Sequence, residues 1–417
     1  MKKIAIVGSG ISGLTSAYLM SQKHQVTVFE KNDYIGGHTA TVDIDYQDVN
    51  FPKRHYQLDT GFIVFNDKTY PNFLKLLTQI GIKKQATEMS FSVHNRQTGL
   101  EYNGHNLDTM FAQRMNILKP KFWQLIRDIL RFNKRCKTIY ELEDYDEKLT
   151  LGEFLEIESF SDFFAEHYIL PMGAAIWSSS LTQMQGFQFK FFVQFFHNHG
   201  LLNIADRPQW YVIPGGSRSY IKPLIKKFEN NIHLNADITS ITRENNKVQL
   251  HFENEVKEFD ELILACHSDQ ALNLLADATN DERGILLAMP YSENDVVLHT
   301  DLSLLPHRKK AWASWNYQLS ADRDRPASVT YNMNILQGLS NAPTFCVTLN
   351  QNDDIAPEKV IRKFKYSHPV FSVDSFNAQQ KRNDICGHNH THFAGAYWYN
   401  GFHEDGVRSA VDVGKRF

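Results

Sequence analysis

The sequence predicts an α/β protein: a buried parallel sheet covered by helices, followed by a larger mixed region. Three observations predict it. The run Lys3–Val7 is apolar and β-branched after its first residue, as a strand buried on both faces should be. It leads into Gly8-Ser9-Gly10-Ile11-Ser12-Gly13 and a stretch whose Leu14, Ala17, Tyr18 and Leu19 can form an inward stripe. A second run, Gln25–Phe29, ends on the acid Glu30. Strand, glycine turn, helix, strand and acid in this order make a Rossmann βαβ unit.

Each residue type in that unit has a task. Gly8 permits the tight turn, Gly10 lets backbone approach a pyrophosphate, and Gly13 lets helix and strand pack closely. A helix starting near Ile11 and Ser12 turns free N–H groups and its positive end toward phosphates. Glu30, about 20 residues past the glycines, is placed to accept from ribose hydroxyls. An acid there admits NAD or FAD and disfavours a ribose phosphate.

The continuation, Glu30-Lys31-Asn32-Asp33-Tyr34-Ile35-Gly36-Gly37-His38, resembles the second signature of the flavin-containing amine oxidase and phytoene desaturase superfamily. Later segments resemble it too: Leu58-Asp59-Thr60-Gly61-Phe62, Val212-Ile213-Pro214-Gly215-Gly216, Ala236-Asp237-Ile238, Phe393-Ala394-Gly395-Ala396, and Gly401-Phe402-His403-Glu404-Asp405-Gly406. LPMGAAIWS, AWASWNY and GFHEDG further resemble a bacterial subgroup of predicted NAD/FAD-binding oxidoreductases. Its members tend to occur beside cyclopropane-fatty-acid-synthase-like enzymes.

The resemblance implies a two-domain fold, a Rossmann-type FAD-binding domain with an α+β substrate domain, and a noncovalent FAD. The implied contacts begin with Gly8, Gly10, Ile11, Ser12, Gly13, Glu30 and Lys31. They continue through Gly36, Gly37, His38, Thr39, Thr60, Gly61, Phe62 and Ile238. The last signature adds Gly395, Ala396, Gly401, Phe402 and Asp405, with a helix N-terminus aimed at the flavin pyrimidine. His403 is the candidate catalytic residue, a neutral imidazole that could take a substrate proton. His38 stands where relatives commonly carry arginine, so a nearby phosphate is expected to raise its pKa and FAD affinity to fall as pH rises.

Residues 1–75, 205–280 and 385–417 are expected to form the FAD domain, and 76–204 with 281–384 the substrate domain. Residues 108–200 read as helices and 291–350 as strands. The segment 187–196 holds six phenylalanines in ten residues, which predicts a helix apolar nearly all round. That segment reads either as plain core or as the wall of a channel, with Trp177, Phe191 and Phe195 as candidate substrate contacts. Residues 122–140 predict an amphipathic helix, with Phe122, Ile126, Ile129, Leu130, Cys136 and Tyr140 on one face. Arg127, Arg131, Lys134 and Arg135 fall on the other, either simply solvated or lying on anionic lipid.

Other classes find little support. A net charge of -3 offers no basic surplus for nucleic acid. The four cysteines lack CxxC spacing, which suits reduced thiols, and no run of eighteen apolar residues spans a membrane. The expected location is cytoplasmic, with peripheral contact at the inner membrane face left open. The run Cys386-Gly387-His388-Asn389-His390-Thr391-His392 is expected to bind no metal, because same-face positions along a strand lie nearly 7 Å apart. Residues 292–299 lack the lysine that amine oxidases usually hold near flavin N5. That demotes amine oxidation, and the subgroup context with the Phe-rich segment makes dehydrogenation or desaturation of an apolar lipid or acyl substrate the leading expectation. Amine oxidation, a non-redox flavin isomerase and a non-catalytic FAD-binding accessory protein are the alternatives.

Overall fold

The computed structural model describes residues 1–417 other than 144 and 147. Strand β1 (Lys3–Val7), helix α1 (Ile11–Met20) and strand β2 (Gln25–Phe29) form the expected unit. A five-stranded sheet runs in the order 232–233, β2, β1, 261–264, 391–393, and every pairing in it is parallel. The chain thus leaves this sheet after β2 and returns to it three times. Its cover is part helix and part sheet. Leu14 and Ala17 of α1 share its core with Val248, Leu250 and Phe259 from a three-stranded antiparallel sheet at 240–259.

A second sheet has seven strands, in the order 360–369, 291–299, 346–349, 329–332, 315–318, 91–95, 100–103. Its pairings are antiparallel except that 315–318 lies parallel to 91–95. Helices between 107 and 198 pack on it, and one core joins Phe122, Phe132 and Phe192 to Val93, Tyr102, Tyr317 and Val329.

Two of these helices bear on the expectations above. Helix α2 (Pro120–Leu142) starts on a proline, which is suited to the first turn, and ends at Glu143 in the left-handed region at φ 53. Its buried row is Phe122, Leu125, Ile129, Phe132, Cys136 and Ile139, so the apolar face is rotated from the expected one and Leu130 is exposed. Two of the cations expected to face lipid are committed elsewhere. Arg131 donates to the carbonyls of Glu158 and Ser159 at 3.0 Å each, and Arg135 Nε donates to Glu158 Oε1 at 2.8 Å. They brace the turn that carries Phe160.

Helix α3 (Phe189–Asn198) buries Phe189, Phe192, Val193, Phe195 and Phe196, while Lys190 and Phe191 are half-buried. It is chiefly a core helix. Among the described residues, no helix is long and apolar enough to cross a membrane.

Candidate cofactor and substrate cavity

One continuous cavity of about 900 Å³ begins at the glycine turn and extends under the second sheet. That is the upper end of the roughly 300–1,000 Å³ usual for small-molecule and cofactor sites. Its first end is built of backbone. Gly8, at φ 104, closes the turn so tightly that a Cβ would lie 2.7 Å from the Ala265 carbonyl oxygen. A Cβ on Gly10 would meet nothing within 4 Å, because that position faces the open cleft. Gly10 caps α1 without a side-chain hydrogen bond, leaving the first-turn N–H groups to whatever occupies the cleft.

The second glycine pair packs directly on the first motif. Gly36 N donates to the Ser9 carbonyl at 3.1 Å, and a Cβ on Gly37 would come within 3.3 Å of Gly10 Cα. Glu30 ties this end together: its Oε2 accepts from Ser9 N at 2.9 Å and Ser9 Oγ at 2.6 Å, its Oε1 from Asn32 N at 2.9 Å. Lys31, Ile11, Ser12 and Ile238 line the same end.

Next along the cavity come four histidines, His38, His267, His368 and His403. Burial lowers all four. His38 is pulled down to about 3 by burial, then by His368 and His267, and His368 to about 4 by burial and His267. His267 is also lowered, and His403 falls well below its ordinary value through burial and His38. The His38 Nε2 is buried and has no hydrogen-bond partner among the described residues. Tyr366 packs on the His38 ring at 5.2 Å.

His403 opens the last helix, α4 (His403–Gly414). Its ring stacks on Phe62 at 3.7 Å and its Nε2 pairs with the Tyr220 hydroxyl at 2.8 Å, which also meets Thr39 Oγ1. This modifies the proton-acceptor expectation: the burial that keeps His403 neutral also makes its protonated form costly. Holding Phe62 and Tyr220 in place suits it better than storing a proton.

Beyond Phe402 the lining turns to side chains. Phe402 stacks on Phe195 at 5.2 Å, and Phe195 stacks on His199 at 3.9 Å and packs tilted against Trp177 at 4.8 Å. Met172, Ile176, Leu201 and Phe371 complete this end, and Arg207 stands on its rim.

Of the expected contacts, Gly8, Gly10, Gly61, Gly395, Ala396 and Gly401 also line the cavity, as do Trp177 and Phe195. Five others do not. Gly13 packs inward, where a Cβ would lie 1.9 Å from the Gly8 carbonyl oxygen. Thr39 is turned to Tyr220, and Thr60 donates to or accepts from the Tyr366 hydroxyl at 2.9 Å. Asp405 folds back on its own helix, accepting from Phe402 N at 2.9 Å and Asn400 N at 3.2 Å. Phe191 is covered by Phe376, 4.0 Å away, and Phe371. Glu404 and Asp405 both sit in the first turn of α4, and burial raises both, Asp405 to about 7.

Sequence reading missed Tyr220, His267, His368, Tyr366 and Arg207. None sits in a glycine motif or a periodic stripe; His267, His368, Tyr366 and Arg207 reach the cavity only through the fold, and Tyr220 lies behind its wall against His403. The 386–392 run lies elsewhere. Its His392 Nε2 faces Glu261 Oε2 at 3.4 Å, His390 Nδ1 faces Glu261 Oε1 at 3.6 Å, and His388 Nε2 pairs with the Asn383 carbonyl. Among the described residues no group of three or more His, Cys, Asp or Glu could hold a metal ion.

The residues fit a dinucleotide. The Gly10 opening, the uncapped α1 and the orphaned His38 nitrogen together offer donors and space for a diphosphate. Fold and site define an enzyme class in which a Rossmann sheet presents a dinucleotide to a cavity roofed by a second domain. A family profile described as flavin containing amine oxidoreductase matches residues 11–283, and the chain belongs to that family. The 1-hydroxycarotenoid 3,4-desaturase of Flavobacterium sp. (strain P99-3) is 34% identical over 103 residues, 24% of this chain and 18% of that protein. The L-amino-acid oxidase of Mus musculus is 21% identical over 270 residues, 60% of this chain and 38% of that protein. The chain therefore spans well under half the length of these two relatives. The crystal structure of a CLA-producing fatty acid isomerase from P. acnes superposes with a TM-score of 0.68 at 18% identity, covering 100% of this chain and 98% of that one.

Proposed function

We propose that the protein is an FAD-dependent oxidoreductase that dehydrogenates or desaturates an apolar acyl substrate. The observation that carries this reading is the aromatic and aliphatic far end of the cavity, where Phe402, Phe195, Trp177, Met172 and Ile176 succeed one another with no carboxylate among them. A substrate ammonium would find no counter-charge there. The lysine that amine oxidation would call for is also missing from 292–299; Lys365, on the neighbouring strand, is ion-paired to Glu293 at 2.5 Å. FAD, when bound, would accept the hydride that the substrate loses. The chain's own part is to orient and to exclude water: Phe62 and Phe402 wall the reacting region, and Tyr220 fixes His403. The FAD is held noncovalently in this reading: Cys266 is the one cysteine lining the cavity among the described residues, and burial pushes its thiol up to about 12, which disfavours the thiolate.

The test is an anaerobic titration of the flavin-loaded protein, followed by its visible spectrum. Unsaturated acyl lipids should bleach the flavin while primary amines leave it yellow. Bleaching by amines alone would replace this reading with amine oxidation. A second reading draws on the likeness in fold to the CLA-producing fatty acid isomerase from P. acnes. A product of unchanged oxidation state, formed only with reduced FAD, would make the chain an isomerase.

We also propose that an anionic bilayer surface supplies the substrate, through the turn ahead of α2 rather than along 122–140 as a whole. Met115, Ile117, Leu118 and Trp123 are exposed there, flanked by exposed Lys119, Lys121 and Arg127. The Trp123 Nε1 donates to the Ile117 carbonyl at 2.8 Å, which holds the indole beside this turn. Co-sedimentation with phosphatidylglycerol vesicles should be lost in a Leu118→Ser, Trp123→Ser variant; equal sedimentation of variant and parent would refute the surface.

A further inference from the structure

We propose that Arg207, on the rim of the apolar end, binds the carboxylate of a long-chain acyl substrate, so that the substrate is a free fatty acid rather than an ester. The inference rests on the acyl reading above. Five charged side chains line the cavity: Glu30, Lys31, Asp237, Lys365 and Arg207. The first four gather at the cofactor end. Ala236 N donates to the Glu30 carbonyl, which brings Asp237 beside Lys31, and Lys365 adjoins the Tyr366 that packs on His38. Arg207 alone stands at the other end, among the described residues.

Its setting is that of an anion site. Asp206, at φ 56, makes the turn that sends Arg207 back toward the cavity. Its Nε donates to the Asn203 carbonyl at 3.0 Å, which orients the guanidinium and leaves its outer nitrogens without a carboxylate partner among the described residues. Tyr168 lines the cavity nearby, its phenol raised by burial and lowered by the charge of Arg207. A guanidinium and a phenol together offer the fork of donors that a carboxylate takes. From there Leu201, His199 and Phe195 lead to Phe402 at the cofactor, a path of apolar contact that an alkyl chain fills and a short amino acid does not.

The experiment measures binding to the flavin-loaded protein by tryptophan fluorescence, since Trp177 and Trp210 line the cavity. The probes are oleate, methyl oleate, oleylamine and L-leucine. The parent should bind oleate most tightly. Arg207→Gln should weaken oleate by roughly 10- to 100-fold, the worth of a charged hydrogen-bonded contact, and leave methyl oleate unchanged. Arg207→Lys should fall between. Equal binding of oleate and methyl oleate, unmoved by Arg207→Gln, would overturn the head-group site and leave the acyl reading standing. Binding of leucine or oleylamine with no response to oleate or its ester would overturn both.

Discussion

The two ends of the cavity are made of different material. At the cofactor end the contacts are backbone: Gly8, Gly10 and Gly37 bring main chain against main chain, and Glu30 locks them with three hydrogen bonds. At the far end they are side chains drawn from 172–177, 195–207, 371 and 402. The first arrangement fixes one ligand shape and tolerates little change, because a glycine has no rotamer with which to yield. The second can be reshaped by substitution, since volume-conserving changes in an aromatic wall cost little. This contrast gives a physical reason for one cofactor with many substrates on the same scaffold.

The largest expected effect separates two glycines three residues apart. Gly13→Ala places a Cβ 1.9 Å from a backbone oxygen, and should cost about 3 kcal/mol of stability, the upper end of the usual overpacking range. Gly10→Ala meets nothing in the ligand-free protein and should leave its melting temperature near that of the parent, while weakening FAD binding severely. Thermal melts without FAD, paired with FAD titrations, test both. If Gly10→Ala melts as low as Gly13→Ala, the position at Gly10 is not open; if it binds FAD as tightly as the parent, that opening is not the one the cofactor uses.

A middle-sized effect concerns Asp405, which the fold turned from cofactor contact into helix cap. Burial raises its folded-state pKa to about 7, above the 3.8 of an ordinary aspartate. The folded state thus holds this proton more tightly than the unfolded one. Its contribution to stability is full below about pH 4 and is lost as pH rises toward 7, by at most roughly 1.4 kcal/mol per pH unit. Asn at this position stays neutral and can keep the acceptor, so Asp405→Asn should lose less stability between pH 4 and pH 7. Urea unfolding at stepped pH is the measurement, and parallel curves would show that the carboxyl is ionised throughout.

What could be read from the sequence follows the same division. The cofactor end was legible because its parts are short, contiguous and restricted to glycine; about forty residues hold both signatures. Asp405 misled because an acid beside a signature glycine suggests a ligand contact, while the same acid at the third position of a helix reaches its own cap. Phe191 and Phe195 lie four apart and share a helix face, yet only the second reaches the cavity. Segment 371–376 covers the first, and nothing in the helix's own periodicity announces a neighbour 180 residues later. Arg207 was invisible for a related reason: a single arginine in a turn acquires meaning only from the apolar wall it borders.

The smallest expected effect lies where the two ends meet, at His38. The groups facing it are His267, His368, His403 and Tyr366, none of them an anion at neutral pH. Without ligand, burial holds His38 near 3, so it is neutral over the working range, with Nε2 unpartnered. A diphosphate would supply the missing counter-charge and raise that value in the complex. Binding then takes up a proton, and FAD affinity is greatest at low pH and falls as pH rises through the bound-state value. Because desolvation opposes the charge, the change from pH 6 to pH 8 should stay within about tenfold. His38→Gln should flatten it, and His38→Arg should bind without pH dependence. An FAD dissociation constant already flat in the parent would show that His38 stays neutral in the complex and donates a single uncharged hydrogen bond. A slope unchanged by His38→Gln would move the proton to His267 or His368, and with it the boundary between the cofactor's end of the cavity and the substrate's.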